Sequence, residues 1–165
     1  MVTNDKTATP TDLSGNAVEE ISSNLRRLLA DVFALYVKTK NFHWHMSGQH
    51  FRDYHLLLDE QATQILATTD IIAERVRKLG GQTINSIGHI GRLEQIHDNN
   101  ADAVAPREML TELLEDNRLV TKQMRKMHAL CDERGGVMSA SLIENRIDGA
   151  EGCAWFPLED INSSK

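Results

Sequence analysis

The stretch from Arg52 to Gly81, RDYHLLLDEQATQILATTDIIAERVRKLGG, decides the fold. It holds no proline and no glycine before its final pair. Its apolar residues recur at helical rather than alternating spacing, so it reads as one long helix to Leu79, stopped by Gly80-Gly81. Lys78 in its last turn complements the helix dipole. Working backwards, Ser47-Gly48 separates it from an earlier helix over about Val18 to Met46, with Ile21, Leu25, Leu28, Val32 and Leu35 on one stripe. Asn16 followed by Glu19 is its expected N-terminal cap. Working forwards, Gln82 to Ala105 is looser, with Gly88, Gly91 and the turn-like Asp98-Asn99-Asn100. That segment reads as a crossover with at most one short helix, around Ile84 to Ile90. Pro106 suits the first turn of a third helix, which carries Leu110, Leu113, Val120, Met124 and Met127 on one face and ends at Gly135-Gly136. Ser141 and Glu144 form a capping box for a fourth helix. That helix is expected to be weak, interrupted by Gly149 and Gly152 and ended or kinked by Pro157.

Four helices with one long crossover between the second and third make an all-α, ferritin-like four-helix bundle. The chain has 165 residues, enough for one domain with a real core but not for two. The expected organisation is a polar tail over 1–16, the helical domain over 17–157 and a short tail over 158–165. With 18 Lys and Arg against 24 Asp and Glu, the net charge is -6, which disfavours a generic grip on nucleic acid and suits attraction of cations. Cys131 and Cys153 lack metal-ligand spacing and read as reduced thiols of a cytoplasmic protein. The N-terminal segment has no apolar core that would direct export. No apolar run approaches the roughly 20 residues that crossing a bilayer requires.

Five residues carry the candidate chemistry: His43, His55, Asp59, Asp70 and Glu74. Imidazole and carboxylate together suit a redox-active metal, with oxygen donors favouring the higher oxidation state. Within the second helix the spacings 4, 11 and 4 bring His55, Asp59, Asp70 and Glu74 to nearly one face. One copy of the helix still cannot close a site. Asp59 and Asp70 are about 16 Å apart along the axis, and His55 and Glu74 about 28 Å. The register pairs them, however. An antiparallel second chain crossing at a two-fold axis near residues 64 and 65 would bring His55 to the mate's position 74 and Asp59 to its position 70. His43, just before the Ser47-Gly48 turn, could fold back beside His55. The plainer alternative is a set of solvated polar side chains on an exposed helix face.

The stretch Lys40–Phe51, KNFHWHMSGQHF, followed by His55, Asp59, Asp70, Ala73-Glu74-Arg75 and Leu79-Gly80-Gly81, resembles the signature of the Dps family, the mini-ferritins named as DNA-binding proteins from starved cells. The likeness runs from about residue 17 to 157. It implies a hollow dodecamer built from two-fold dimers, with an intersubunit ferroxidase centre. His43, His55 and Asp59 would come from one chain, Asp70 and Glu74 from its mate. The implied activity is oxidation of Fe2+ to Fe3+, with hydrogen peroxide as oxidant, storage of ferric mineral and protection of DNA. The alternative in another class is a structural or DNA-compacting oligomer that binds metal without turnover.

Other features weigh less. Glu94 and His97 form a lone E-x-x-H, whereas di-iron sites inside one bundle need two such motifs. His45, His50, His89, His97 and His128 read as surface or hydrogen-bonded histidines. Trp44 reads as a packing residue or an electron donor to oxidised iron. Gly136 and Ser141 stand where the family often carries pore-lining acids, and Glu144, Asp148 or Glu151 could supply that charge instead. Direct DNA binding is expected to be weak or absent, because Lys6 and Lys165 are the only lysines in the terminal segments and Asp5 and Asp12 oppose Lys6.

Overall fold

The computed structural model describes the backbone of residues 11–163 and the side chains of 11–159; Asp5, Lys6 and Lys165 lie outside the described residues. The elements are α1 (Gly15–His45), α2 (Phe51–Lys78), α3 (Ile87–Leu93), α4 (Pro106–Glu133) and α5 (Val137–Ser163), with no strand among the described residues. Helix α1 packs on α2 and α4 on α5, and α1 against α4 joins the two pairs into the expected all-α bundle. Short turns at 46–50 and 134–136 force each pair antiparallel. Inward stripes interlock in one core. Ile21, Leu25 and Phe42 from α1 meet Leu58, Ile72 and Val76 from α2 and Met109, Leu110 and Leu113 from α4, all at most 2% exposed. Each such side chain contributes about 1.5–3 kcal/mol through burial. No helix among the described residues is long and apolar enough to cross a membrane.

Three local expectations are corrected. Helix α1 begins before Asn16, because Ser14 is the cap and its Oγ accepts the Ala17 N–H at 3.2 Å. The crossover helix lies at Ile87–Leu93, capped by Ser86, about three residues beyond the expected position. Ser141 and Glu144 do not open the last helix, which starts at Val137 with the Ser139 and Ala140 N–H groups donating to the Gly136 carbonyl.

The last helix also runs unbroken through Pro157. A proline removes the hydrogen bond to the carbonyl four residues earlier, here that of Cys153. Gln61 of α2, only 4% exposed, reaches across and donates its amide Nε2–H to that carbonyl at 3.2 Å. The lost bond is replaced from outside the helix, and α5 continues.

Buried charge fixes the crossover. Asp31, fully buried on α1, accepts the backbone N–H groups of Gln95 and Ile96 at 2.5 and 3.2 Å. One helical turn pair further along, Lys38 is 5% exposed and pairs with Glu112 and Asp116 of α4 at 2.8 and 2.7 Å. Asn99 donates to Glu112, while its carbonyl accepts from Asn41. The long connection is therefore tied to α1 and α4 at several points.

Candidate metal centre

The end of α1 and the start of α2 build one half of a site. Gly48, at φ +97°, takes the left-handed conformation that turns the chain back, a conformation costly for other residues. His43 and His55 then stack, ring centroids 3.7 Å apart and planes at 21°. The Nδ1–H of His43 donates to the His55 carbonyl at 2.8 Å, and the Nδ1–H of His55 donates to the His43 carbonyl at 2.9 Å. A carbonyl can only accept, so both Nδ1 atoms carry hydrogen. In the neutral rings each lone pair then falls on Nε2, the arrangement a metal-binding imidazole uses when its other nitrogen is anchored to backbone.

Asp59 lies beside this pair, its Oδ1 3.9 Å from His43 Nε2. The same oxygen accepts from Lys40 Nζ at 2.8 Å. Lys40 holds the Asp59 carboxyl below the ordinary carboxylate range, with smaller help from the two imidazoles. Lys40 Nζ also sits 5.8 Å from the ring centroid of Trp44, which is 64% exposed.

The other two candidate ligands stand further along α2. Asp70 is exposed and has no ion pair or side-chain hydrogen bond among the described residues. Glu74 is exposed too, and its Oε2 accepts from Lys78 at 2.8 Å, which lowers its pKa. Because α2 is a continuous helix, the axial separations of about 16 and 28 Å expected from residue spacing apply. The structure thus brings His43, His55 and Asp59 together and leaves Asp70 and Glu74 apart from them. Among the described residues, no three His, Cys, Asp or Glu side chains of one chain are arranged to hold a metal.

Lys40 is the site residue that spacing did not single out. Its signal was weak: a cation three residues before His43 says nothing of Asp59 until α1 and α2 are paired. Lys78 was legible, since Glu74 and Lys78 have the i, i+4 spacing and order of a helical ion pair.

The remaining candidates fall into place. Glu94 terminates α3 in an extended conformation, so Glu94 and His97 do not share a helix face. His128 bridges Asp132 and Glu144 at 3.3 and 2.8 Å. Glu151 pairs with Arg125, whereas Asp148 has no such partner among the described residues. At Gly136 an added Cβ would meet Ile21 Cδ1 at 2.8 Å, so an acid there would collide with the core. Cys131 and Cys153 are free and buried, and burial pushes both thiols up to about 11, away from the reactive thiolate.

The ferritin-like domain family matches residues 22–159. The DNA protection during starvation protein of Agrobacterium fabrum is 30% identical over 148 residues, covering 90% of this chain and 91% of that protein. The chain belongs to the Dps family. DNA protection during starvation protein 1 of Deinococcus radiodurans is a further Dps relative, 30% identical over 84% of this chain and 67% of its own length. Among solved Dps structures, DpsC from Streptomyces coelicolor superposes with a TM-score of 0.90 at 27% identity, covering 98% of this chain and 95% of its own. Membership in the Dps family supports an iron-related, mini-ferritin function.

Proposed function

We propose that this chain is a ferroxidase subunit whose iron centres are closed between two chains. His43, His55 and Asp59 come from one chain, and Asp70 and Glu74 from its mate. The observation that carries this reading is the reciprocal bonding of His43 and His55, which fixes two imidazoles with Nε2 available beside Asp59. The exposed His45 is anchored to its own helix alone, through the Asn41 carbonyl, whereas His43 and His55 anchor each other across two helices. The antiparallel register of α2 supplies the missing acids, and Leu56, Leu66 and Ile71 on α2, each 40–49% exposed, give a second chain apolar surface to cover.

Iron is the substrate. Two Fe2+ each give one electron to hydrogen peroxide, its O–O bond breaks, and two protons complete two waters. The chain contributes positioning and negative charge. Asp70 and Glu74 hold the first ion most firmly with His43 of the other chain, while His55 and Asp59 form a weaker second position. Ferric product accumulates inside a hollow dodecamer, and DNA is protected by removal of the reagents that damage it. Direct DNA binding is weak at neutral pH, because the acidic subunits repel phosphate.

The test is anaerobic loading of the purified oligomer with Fe2+, then addition of peroxide with absorbance followed in the near ultraviolet. A fast ferric signal, lost in Asp70→Ala and Glu74→Ala, is expected. A rate no faster than that of protein-free iron would leave only a metal-binding assembly. A plasmid gel shift at physiological salt would overturn the expectation of weak DNA binding.

A further inference from the structure

A cavity of 360 Å³ lies inside the bundle, and none of the five candidate iron ligands lines it. Its walls are apolar: Leu35 of α1, Ile65 and Ile72 of α2, Val120 and Met124 of α4 and Cys153 of α5, all buried. The gap opens where α5, packed mainly on α4, passes α2 with sparse contact, and the small residues Ala67 and Gly149 leave it unfilled. Gly149 weakens its helix relative to alanine. Yet a Cβ built there meets nothing within 4 Å, so no close packing within the chain demands a glycine.

Polar groups gather among the same lining residues. Thr68 and Asn145 spend their donors on carbonyls of their own helices, those of Ile65 and Ser141. Gln64 accepts from Cys153 Sγ at 3.9 Å. Asp148 is exposed, so water solvates its charge. Arg146 differs. It is half-buried, it has no ion pair or side-chain hydrogen bond among the described residues, and its Nε is buried without a partner. A shielded guanidinium N–H with nothing to donate to is unfavourable, and a carboxylate is its best complement. The lining runs from Gln64 to Ile72 on α2 and from Asn145 to Cys153 on α5, about 12 Å along each axis. An apolar slot of that length suits a flexible chain better than a compact ligand.

We propose that this cavity binds an amphipathic carboxylate, a medium-chain fatty acid, with its chain among the four long helices and its head on the Arg146 guanidinium. Burial of the chain supplies affinity, and the charged head sets orientation and the preference for an acid over an alcohol. The site stands apart from the iron chemistry and does not depend on it.

The experiment is isothermal titration of the intact oligomer with decanoate and with decanol, each below the concentration at which it self-associates. The unmodified protein is expected to take one decanoate per chain, about tenfold more tightly than decanol. Arg146→Gln should lose that preference and still bind decanol. Val120→Phe fills the slot from within and Gly149→Leu fills it at the α5 wall; both should weaken decanoate and decanol alike. Gly152→Ala strengthens the same helix outside the lining and should change neither affinity. Size-exclusion chromatography and thermal unfolding check assembly and folding of each variant. Equal affinity for the acid and the alcohol in the unmodified protein would overturn the assignment of a carboxylate ligand. Absence of saturable binding, or binding that survives in both filling variants, would overturn the site.

Discussion

The two ends of α2 carry different candidate ligands, two imidazoles and a carboxylate at the start and two carboxylates at the end, in opposite states of readiness. At its start, His43 and His55 lock one another through their own backbone carbonyls, and Lys40 holds Asp59. At its end, Asp70 and Glu74 project from an open helix face with only Lys78 for company. One end is organised within the chain, and the other stands open. On the two-chain reading proposed above, the difference teaches that a site shared across a two-fold axis needs only one rigid half. The imidazoles, whose tautomer must be fixed, are built locally; carboxylates, which bind through either oxygen and need no tautomer, can arrive with the partner.

The sharpest way to break that comparison is complementation. His43→Ala and Glu74→Ala should each reduce peroxide-dependent iron oxidation to the rate of free iron. Dissociated, mixed in equal amounts and reassembled, they should regain activity. Half of randomly formed dimers are mixed, and each mixed dimer holds one intact centre of two, so recovery should reach about a quarter of the unmodified level. Stopped-flow absorbance measures it. Absence of any recovery, with mixed dimers demonstrated by mass spectrometry, would place the whole site within one chain.

Between the two ends lies Gln61, and its effect is on stability. Gln61→Leu would leave the Cys153 carbonyl without a donor, and a buried unsatisfied acceptor costs about 1–3 kcal/mol. Pro157→Ala restores the N–H inside α5, so the double variant should recover most of the loss. Thermal unfolding of both single variants and the pair closes the cycle. Additive losses would mean that Gln61 matters for packing alone.

The fixed side of the molecule gives a smaller, pH-dependent effect. Burial raises the pKa of Asp31 against the hydrogen bonds from Gln95 and Ile96 that lower it. A group whose folded pKa is raised favours the fold with its proton on. That contribution is complete below the ordinary carboxylate pKa and is lost as pH rises through the raised value. Asp31→Asn keeps an acceptor for the crossover and removes this dependence, so its melting temperature relative to the parent should rise from mildly acid to neutral pH. A pH-independent difference would show that Asp31 does not titrate between folded and unfolded states in that range.

These contrasts also show what was legible in the residues. Helices α1, α2 and α4 follow from long apolar stripes without proline, and the crossover from its glycines and Asp98-Asn99-Asn100. The full extent of α5 was not legible. Gly149, Gly152 and Pro157 argue locally against a helix, whereas packing on α4 and the donor from Gln61, distant in sequence, override that preference. At the site, spacing along α2 gave the positions of His55, Asp59, Asp70 and Glu74 along one helix, because a helix converts residue number into position. It gave neither the mutual anchoring of His43 and His55 nor the Lys40–Asp59 bond. Both depend on how two helices face each other after the Gly48 turn, and no single-helix periodicity encodes that.

The smallest expected effect concerns the passage of iron toward the acidic ends. Three acids on α5 were candidates to attract it, and the structure separates them. His128 engages Glu144 and Arg125 engages Glu151, so each shares its charge with a group from α4. Asp148 alone has no such partner among the described residues, and its field reaches solvent undiminished by a bound cation. Asp148→Asn should therefore slow iron uptake by about twofold, since one charge contributes only a fraction of the steering that a whole cleft provides. The slowing should shrink as ionic strength rises, because screening removes the contribution of an exposed charge in either protein. Glu144→Gln should do less than Asp148→Asn, because it removes a charge that His128 already engages. Initial uptake rates of the three proteins across a salt series would decide it. A larger effect at Glu144 than at Asp148 would mean that the His128 contact opens in solution.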